Sequence, residues 1–232
     1  MSRPIIRNVL FDVGGTLLDL EHAHLLDALA SGGETERGVS AEDLARGEEE
    51  ARHWFMGEMR RGGAPSDAWQ GFFTRLLRGA GVGAEAVPGL LAELWRRNVT
   101  GGLWHRPVAG AAEALARLKA AGLRLAVVSN AEGRVAEDLA IAGLAGHFEI
   151  IVDSHKVGVA KPDPRIFAIA LEQLGAPAEE SIYIGDLYHI DVVGARQAGM
   201  RAVLFDRFGH TPEADCPRIA RLEELDRHVL PG

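Results

Sequence analysis

The chain has 232 residues, of which 47% are hydrophobic and 25% are charged, and its formal net charge is −8. This is the composition of a globular protein, long enough for one sizeable core or for a core domain with a smaller insert. The acidic balance argues against a nucleic-acid partner held by a broad basic surface. The single cysteine, Cys216, excludes an internal disulfide. No apolar run approaches the roughly 18 residues of a membrane span and no signal-peptide core is found, so we expect a cytoplasmic protein without a membrane partner.

The first half of the chain contains one predicted strand followed by helices. Residues 5–12 form an apolar run that ends in an aspartate, which is typical of a strand buried on both faces. Between residues 20 and 104 the apolar positions recur at intervals of three and four, and this spacing predicts three helices. Ser40 and Ser66 are expected to cap the first two of these helices, and Pro88 is expected to open the third.

After Pro107 the pattern changes to strands that alternate with helices. In chain order, four predicted helix–strand pairs follow, with helices at 108–122, 133–144, 163–175 and 191–199 and strands at 123–130, 148–154, 181–186 and 201–206. Short apolar strands separated by helices indicate a parallel sheet with helices on both faces. We therefore expect an α/β protein with a Rossmann-like parallel sheet core, formed by residues 1–19 and 105–232, and a helical domain at 20–104.

Polar residues stand where the predicted strands end. They are Asp12, Ser129 with Asn130, Asp153 with Ser154, and Gly185 with Asp186. In parallel α/β sheets, ligands bind beyond the carboxyl ends of the strands. We therefore expect one edge of the sheet to collect polar groups from distant parts of the sequence and to form the catalytic face.

The segment "GDLYHID" suggests a metal site at this edge. Asp186 follows a predicted strand and Asp191 begins the next helix. If both approach Asp12, three carboxylates share a small volume, which is costly unless a cation compensates their charge. A hard cation with oxygen ligands fits this set, and magnesium is the first choice. Taken alone, the "GD" pair is better explained by helix capping, and only together with Asp12 does the metal site become the stronger interpretation.

Asp12 is also suited to act as a nucleophile. A carboxylate can attack phosphorus to give an acyl phosphate that water later hydrolyses. Such a reaction requires mainly positioning and neutralisation of the phosphoryl oxygens. The amides of the "VGGT" turn, the Ser129 hydroxyl and the Lys161 ammonium could supply both.

These residues resemble the four motifs of the haloacid dehalogenase (HAD) superfamily, whose members are mostly magnesium-dependent phosphatases. The motif Asp-x-Asp-Gly-Thr aligns with "DVGGT", and the strand that ends in serine or threonine aligns with "AVVSN". The motif lysine aligns with Lys161 in "VGVAKPDPRIF", and the last acidic motif aligns with "GDLYHID". The resemblance implies a HAD-like core and identifies the helical segment at 20–104 as a cap domain that sets substrate choice.

The resemblance also implies a role for each matched residue, in a phosphatase that acts on a small phosphorylated metabolite through an aspartyl-phosphate on Asp12. The implied catalytic residues are Asp12, Ser129 and Lys161. The implied phosphate-binding residues are Gly15, Thr16, Ser129, Asn130 and Lys161. The implied Mg²⁺ ligands are Asp12, the carbonyl of Gly14, Asp186 and Asp191.

Gly14 is the one departure from the motif pattern. In phosphatases of this superfamily the second aspartate of the first motif protonates the leaving group and then activates water, and here that position is Gly14. General acid–base help is typically worth about 10²–10⁴ in rate. We therefore expect slow turnover or a need for good leaving groups, unless His22, His24, Tyr188 or His189 replaces the acid.

Two other functions stay open at this point. Haloacid dehalogenation needs an aspartate nucleophile but neither a metal nor an acid, and "SN" at Ser129-Asn130 resembles the pair that dehalogenases use. The presence of both Asp186 and Asp191 favours phosphoester hydrolysis instead. The third possibility is a non-catalytic member that binds a phosphorylated ligand or a protein partner. We expect a monomer or a homodimer.

Overall fold

The computed structural model describes residues 5–31, 38–61 and 65–230, with the side chains of residues 65–67 left out. The chain divides into two compact units, with boundaries between Asp19 and Leu20 and between Leu103 and Trp104. The segments outside these boundaries form the core unit, and the segment between them forms the helical unit. Among the helices of the described residues, none is long and apolar enough to cross a lipid bilayer.

The described residues contain eight strands in two sheets. In chain order they are β1 (Asn8–Phe11), β2 (Leu18–Leu20), β3 (Trp104–Pro107), β4 (Arg124–Ser129), β5 (Ile150–Asp153), β6 (Ser181–Gly185), β7 (Arg201–Phe205) and β8 (Arg218–Ile219). Six of them form a parallel sheet in the order β5-β4-β1-β6-β7-β8, and β2 pairs with β3 separately. A residue that leaves the carboxyl end of β1 therefore has β4 on one side and β6 on the other.

Ten α-helices are found in the same residues. The helical unit contains α1 (His22–Ser31), α2 (Ala41–Arg60), α3 (Pro65–Gly79) and α4 (Val87–Gly101). The core unit contains α5 (Ala111–Ala120), α6 (Val135–Ile141), α7 (Ser154–Val157), α8 (Pro164–Leu174), α9 (Val193–Gln197) and α10 (Asp226–Val229). A π-helical turn, Tyr188–Val192, directly precedes α9.

The side chains of the parallel sheet alternate between two hydrophobic clusters. Val9 and Phe11 of β1 pack in one cluster with Leu115 of α5. Leu10, between them, packs in the other cluster with Phe167 of α8. Because both faces of the sheet are covered by helices, the prediction of an α/β fold with a parallel sheet is confirmed.

The helical unit has one more helix than the sequence pattern predicted. The Ser40 hydroxyl accepts a hydrogen bond from the amide of Asp43 at 3.1 Å, and the Asp43 carboxylate accepts one from the amide of Ser40 at 3.0 Å, which confirms the cap of α2. Pro88 lies in the first turn of α4, as predicted. Ser66 lies inside α3, which begins at Pro65, so the prediction that it caps this helix is wrong, because a capping residue precedes the first helical residue. The helix that was not predicted is α1, which has no acidic residue in its first turn and no basic residue in its last.

Candidate active site

The ends of three neighbouring strands form the candidate site. Asp12 follows β1 directly, Ser129 is the last residue of β4, and Asp186 follows β6. The strand β1 is paired in parallel with both β4 and β6. Residues far apart in the sequence are therefore brought to one edge of the sheet, the edge at which α/β proteins bind ligands.

Asp12, Asp186 and Asp191 form an acidic cluster at this edge. Each residue contributes one carboxylate oxygen to this cluster, and the three oxygens all lie within 4.8 Å of one another. Asp12 and Asp191 are buried, and Asp186 is half-buried. Like charges this close are costly without compensation, and a set of carboxylate oxygens suits a hard cation. These residues therefore fit the magnesium ion that the resemblance implies.

A buried lysine lies between two of the three carboxylates. The ammonium of Lys161 donates hydrogen bonds to Oδ1 of Asp12 at 2.5 Å, to Oδ1 of Asp191 at 2.8 Å and to the hydroxyl of Tyr183 at 3.0 Å. The Tyr183 hydroxyl in turn donates to the carbonyl of Val128 at 2.7 Å. All three N–H groups of the ammonium are therefore used, and its single positive charge offsets part of the negative charge of the two buried acids.

Burial and the neighbouring charges shift the pKa values of both Asp12 and Lys161. The pKa of Asp12 is raised to about 6, first by burial and also by the charge of Asp191, while Lys161 opposes the shift. Burial by itself lowers the pKa of Lys161, but the charges of Asp12 and Asp191 outweigh this and hold that pKa well above its ordinary value. Lys161 is therefore a permanent cation, whereas the charge of Asp12 changes near neutral pH.

The position of Asp191 depends on the π-helical turn and on the glycine that ends β6. Its Oδ2 accepts a hydrogen bond from the amide of Leu187 at 2.9 Å, and its own amide donates to the Leu187 carbonyl at 2.7 Å. A Cβ atom on Gly185 would lie 2.3 Å from Cγ of Asp191. Any side chain at residue 185 would therefore displace this carboxylate. Single π-helical turns are frequent at functional sites.

The turn that follows Asp12 uses its own amides. The amide of Gly15 donates to the carbonyl of Leu18 at 2.8 Å, and the amide of Thr16 donates to the carbonyl of Val13 at 3.1 Å. Gly15 has a φ of 84°, in the left-handed region that favours glycine. Both amides donate hydrogen bonds to carbonyls inside the turn. The geometry of these amides therefore does not support the prediction that Gly15 and Thr16 bind phosphate.

Gly14 lies beside an indole ring. A Cβ atom at this position would be 3.7 Å from the nearest atom of Trp104, which is an ordinary van der Waals distance. The φ of Gly14 does not lie in the left-handed region. A Cβ atom is therefore accommodated here, and the absence of a carboxylate is not imposed by the backbone or by the first atom of a side chain.

Asn130 holds the lysine segment. Its Nδ2 donates to the carbonyl of Lys161 at 2.9 Å, and its Oδ1 accepts from the amide of Lys161 at 2.7 Å. The side-chain oxygen and nitrogen of Asn130 are thus both bonded to the backbone of one residue. This geometry favours a positioning role for Asn130 over the predicted phosphate contact. Ser129, the preceding residue, is buried at the strand end.

The polar residues at the end of β5 serve a neighbouring loop. The Asp153 carboxylate accepts hydrogen bonds from the amides of Gly133 at 3.2 Å, Val135 at 3.3 Å and His155 at 2.9 Å. The Ser154 hydroxyl bonds to the backbone of the same loop. These two residues therefore stabilise the loop after β4.

The side chains considered as substitutes for the absent acid have other partners. Nε2 of His22 lies 2.7 Å from Oε2 of Glu48 in the helical unit. The Tyr188 hydroxyl donates to Oδ1 of Asp215 at 2.7 Å, and the ring of His189 packs against Tyr188 with centroids 5.1 Å apart. His24 lies in α1, in the helical unit. The contacts of the described residues therefore do not single out one of these four as the replacement.

Three polar residues around the site were missed by the sequence analysis. They are Tyr183, which bonds to Lys161, and the ion pair of Asp19 with Arg207. Tyr183 lies in the apolar strand "SIYIG", where the pattern indicates only a buried aromatic residue. Asp19 and Arg207 are 188 positions apart in the chain, so no local pattern could have paired them.

Comparison with curated proteins gives matches to named phosphatases and hydrolases. The phosphoserine phosphatase of Thermus thermophilus is 40% identical over 152 residues, which are 63% of this chain and 59% of that protein. The human haloacid dehalogenase-like hydrolase domain-containing protein 3 is 31% identical over 233 residues, covering 98% of this chain and 90% of that protein. The chain thus spans less than two thirds of the Thermus relative but most of the human one.

Solved structures of two kinds resemble the chain. The HAD-hydrolase YfnB from Bacillus subtilis bound to magnesium is 25% identical with a TM-score of 0.74, covering 98% of this chain and 100% of that chain. A 2-haloacid dehalogenase from Pseudomonas syringae pv. Tomato is 26% identical with a TM-score of 0.59, covering 97% and 98% of the two chains. The family profile described as haloacid dehalogenase-like hydrolase matches residues 6–199. The chain therefore belongs to the haloacid dehalogenase-like hydrolase family and is a hydrolase.

Proposed function

We propose that this hydrolase is a magnesium-dependent phosphatase that acts on a small phosphorylated metabolite in the cytoplasm. The observation that carries the proposal is the buried ammonium of Lys161 between Asp12 and Asp191, beside the third carboxylate of Asp186. Such an arrangement can hold a divalent cation and an anionic substrate together. The phosphoserine phosphatase named among the relatives supports the same substrate class.

In the proposed reaction Asp12 is the nucleophile. One of its carboxylate oxygens attacks phosphorus, the bond from phosphorus to the leaving oxygen breaks, and an aspartyl-phosphate forms that water then hydrolyses. Lys161 fixes the orientation of Asp12 through its 2.5 Å hydrogen bond and supplies positive charge beside the phosphoryl group. Ser129 is assigned to a phosphoryl oxygen. Magnesium, when bound by Asp12, Asp186, Asp191 and the Gly14 carbonyl, would neutralise charge on the phosphoryl group.

Gly14 limits this chemistry at the leaving group. The residue offers a backbone carbonyl but no acid to protonate the departing oxygen. An alkoxide leaves poorly without a proton, whereas an aryl oxide or another stabilised anion leaves readily. We therefore propose that the enzyme prefers phosphate esters with good leaving groups, or that it turns over slowly.

Haloacid dehalogenation is the second candidate, and Gly14 is the observation that favours it. Displacement of a halide by Asp12 requires no proton for the leaving group, and a 2-haloacid dehalogenase is among the similar structures. The three clustered carboxylates argue the other way, because a metal-independent reaction on an anionic acid gains nothing from them. Phosphoester hydrolysis therefore remains the first candidate function and haloacid dehalogenation the second.

A substrate panel tests the ranking directly. The purified protein is assayed against phosphorylated metabolites, an activated aryl phosphate and a 2-haloacid, each with magnesium and with a chelator. We expect phosphate release that the chelator abolishes and that Asp12→Asn lowers at least 10³-fold, because the nucleophile is lost. Halide release that is insensitive to the chelator would replace the proposal by the second candidate. No turnover of any compound, with magnesium still binding, would favour a non-catalytic member.

Restoring a carboxylate at residue 14 should raise turnover. A Cβ atom fits at 3.7 Å from Trp104, so Gly14→Asp is expected to fold normally and to increase kcat about 10²–10⁴-fold on alkyl phosphates. The gain on an aryl phosphate should be much smaller, because that leaving group needs no proton. Gly14→Ala is the matched control, since it adds the Cβ without the acid. Equal rates for Gly14→Asp and Gly14→Ala on alkyl phosphates would contradict the missing-acid argument.

A methyl group at residue 185 should weaken the metal site. The added Cβ would lie 2.3 Å from Cγ of Asp191, so Gly185→Ala must displace that carboxylate. We expect magnesium affinity, measured by calorimetry, to fall about 10–100-fold, the usual cost of disturbing groups that support metal ligands. Gly146→Ala is the control in the same unit, because a Cβ there meets no atom within 4 Å. Unchanged affinity in a folded Gly185→Ala protein would remove Asp191 from the proposed ligand set.

Magnesium affinity should also depend on pH through Asp12. The raised pKa of about 6 means that Asp12 in the metal-free protein is mainly ionised at pH 7.5 and mainly protonated at pH 5. The cation binds the ionised form of Asp12, and pH 5 lies about one unit below the pKa of this group. Magnesium affinity is therefore expected to fall about tenfold between pH 7.5 and pH 5. Calorimetric titration at several pH values measures this. An affinity that stays constant down to pH 5 would be inconsistent with Asp12 as a ligand of raised pKa.

A further inference from the structure

An arginine beyond β7 contacts the segment that follows the nucleophile. The guanidinium of Arg207 donates to Oδ2 of Asp19 at 2.9 Å and to Oδ1 of Asp19 at 2.6 Å. The same guanidinium donates to the carbonyl of Gly15 at 3.3 Å. One side chain thus bonds both to the turn after Asp12 and to the strand β2 that follows this turn.

The contact has the features of a rigid attachment. Asp19 is only 5% exposed, and a carboxylate buried to that extent requires charge compensation. The planar guanidinium matches the carboxylate with two parallel hydrogen bonds, a geometry that lysine cannot reproduce. Arg106 of β3 adds a second positive charge 3.7 Å from Oδ2 of Asp19. The guanidinium also lies 5.4 Å and 5.2 Å from the ring centroids of Phe205 and Phe208, which restricts its movement.

We propose that Arg207 is a positioning residue of the hydrolytic site, acting through the Gly15 carbonyl and the Asp19 carboxylate on the turn that follows Asp12. The part of this inference that concerns catalysis rests on the proposed function. The part that concerns the conformation of the turn stands on the contacts alone.

The turn has a direct connection to the nucleophile. Val13 is covalently joined to Asp12 as the next residue of the chain. The carbonyl of Val13 accepts the amides of Thr16, Leu17 and Leu18 at 2.8–3.1 Å, so a displacement of the turn is transmitted to Val13. Arg207 links this closed turn to the rest of the core unit. A displacement of about 1 Å at a reacting group can cost about 10²-fold in rate.

Hydrogen exchange tests the conformational part. In Arg207→Gln, we expect peptides that span residues 13–19 to exchange at least tenfold faster than in the wild-type protein, while peptides of β4 and β6 exchange at the wild-type rate. Arg207→Lys should fall between the two, because it keeps the charge but loses the paired hydrogen bonds. The control is Arg124→Gln, which removes an arginine that bonds to both carboxylate oxygens of Glu149 at the amino end of β4, away from the site. It should leave residues 13–19 unchanged.

Kinetics on the best substrate of the panel test the catalytic part. Arg207→Gln should lower kcat at least tenfold with KM within threefold of the wild-type value, because the nucleophile is misplaced while the ligand is still bound. Asp19→Asn should lower kcat in the same direction but by less, because Arg207 keeps its hydrogen bond to the Gly15 carbonyl. The double variant should be no worse than Arg207→Gln, which already breaks both contacts.

The exchange and kinetic measurements test the positioning role of Arg207 separately from the proposed phosphatase function. Unchanged exchange at residues 13–19 in Arg207→Gln overturns the positioning role, as does faster exchange throughout the core, which would mean general destabilisation. Faster local exchange with an unchanged kcat also overturns it. If the wild-type protein hydrolyses no phosphate ester, the proposed function fails by itself, and the exchange measurements still decide whether Arg207 holds the turn.

Discussion

The buried ammonium of Lys161 is the interaction on which the site depends. It lies 2.5 Å from one oxygen of Asp12 and 2.8 Å from one oxygen of Asp191, and both acids are buried. Without this charge the two carboxylates would repel each other in a medium that screens poorly. One ammonium does not balance three ionised carboxylates, and the negative formal charge that remains is equal in size and opposite in sign to the charge of one divalent cation. The three carboxylates therefore fit the divalent cation of the proposed function.

The surrounding residues hold this cluster in place. Asn130 bonds to the amide and the carbonyl of Lys161, and Tyr183 of β6 connects the ammonium to the carbonyl of Val128 on β4. Gly185 leaves the space that Asp191 occupies. These contacts come from β4 and β6, the two strands that flank β1, so the parallel sheet brings the residues that hold Lys161 and Asp191 close to Asp12. What the arrangement lacks is an acid at Gly14, which separates this chain from the usual phosphatase pattern without altering the cluster.

Much of the fold and part of the site could be predicted from local patterns. The alternation of apolar strands and helices after Pro107 indicates a parallel sheet because only helices on both faces can bury such strands. The polar residues at strand ends, Asp12 and Asp186 among them, were identified because parallel strands expose their carboxyl ends at one edge. The helix α1 was not predicted, since its ten residues carry none of the charges that mark helix ends.

The sequence by itself determined the class of fold, the acidic residues of the site and the missing carboxylate at residue 14, because each is written in residue types and short spacings. Only the tertiary structure decided how polar groups are shared among these residues. It assigned Asn130 to the backbone of Lys161, used the amides of Gly15 and Thr16 inside their own turn, and joined Arg207 to Asp19. The physical reason is that a hydrogen bond depends on distance and direction in space, and neither follows from position along the chain.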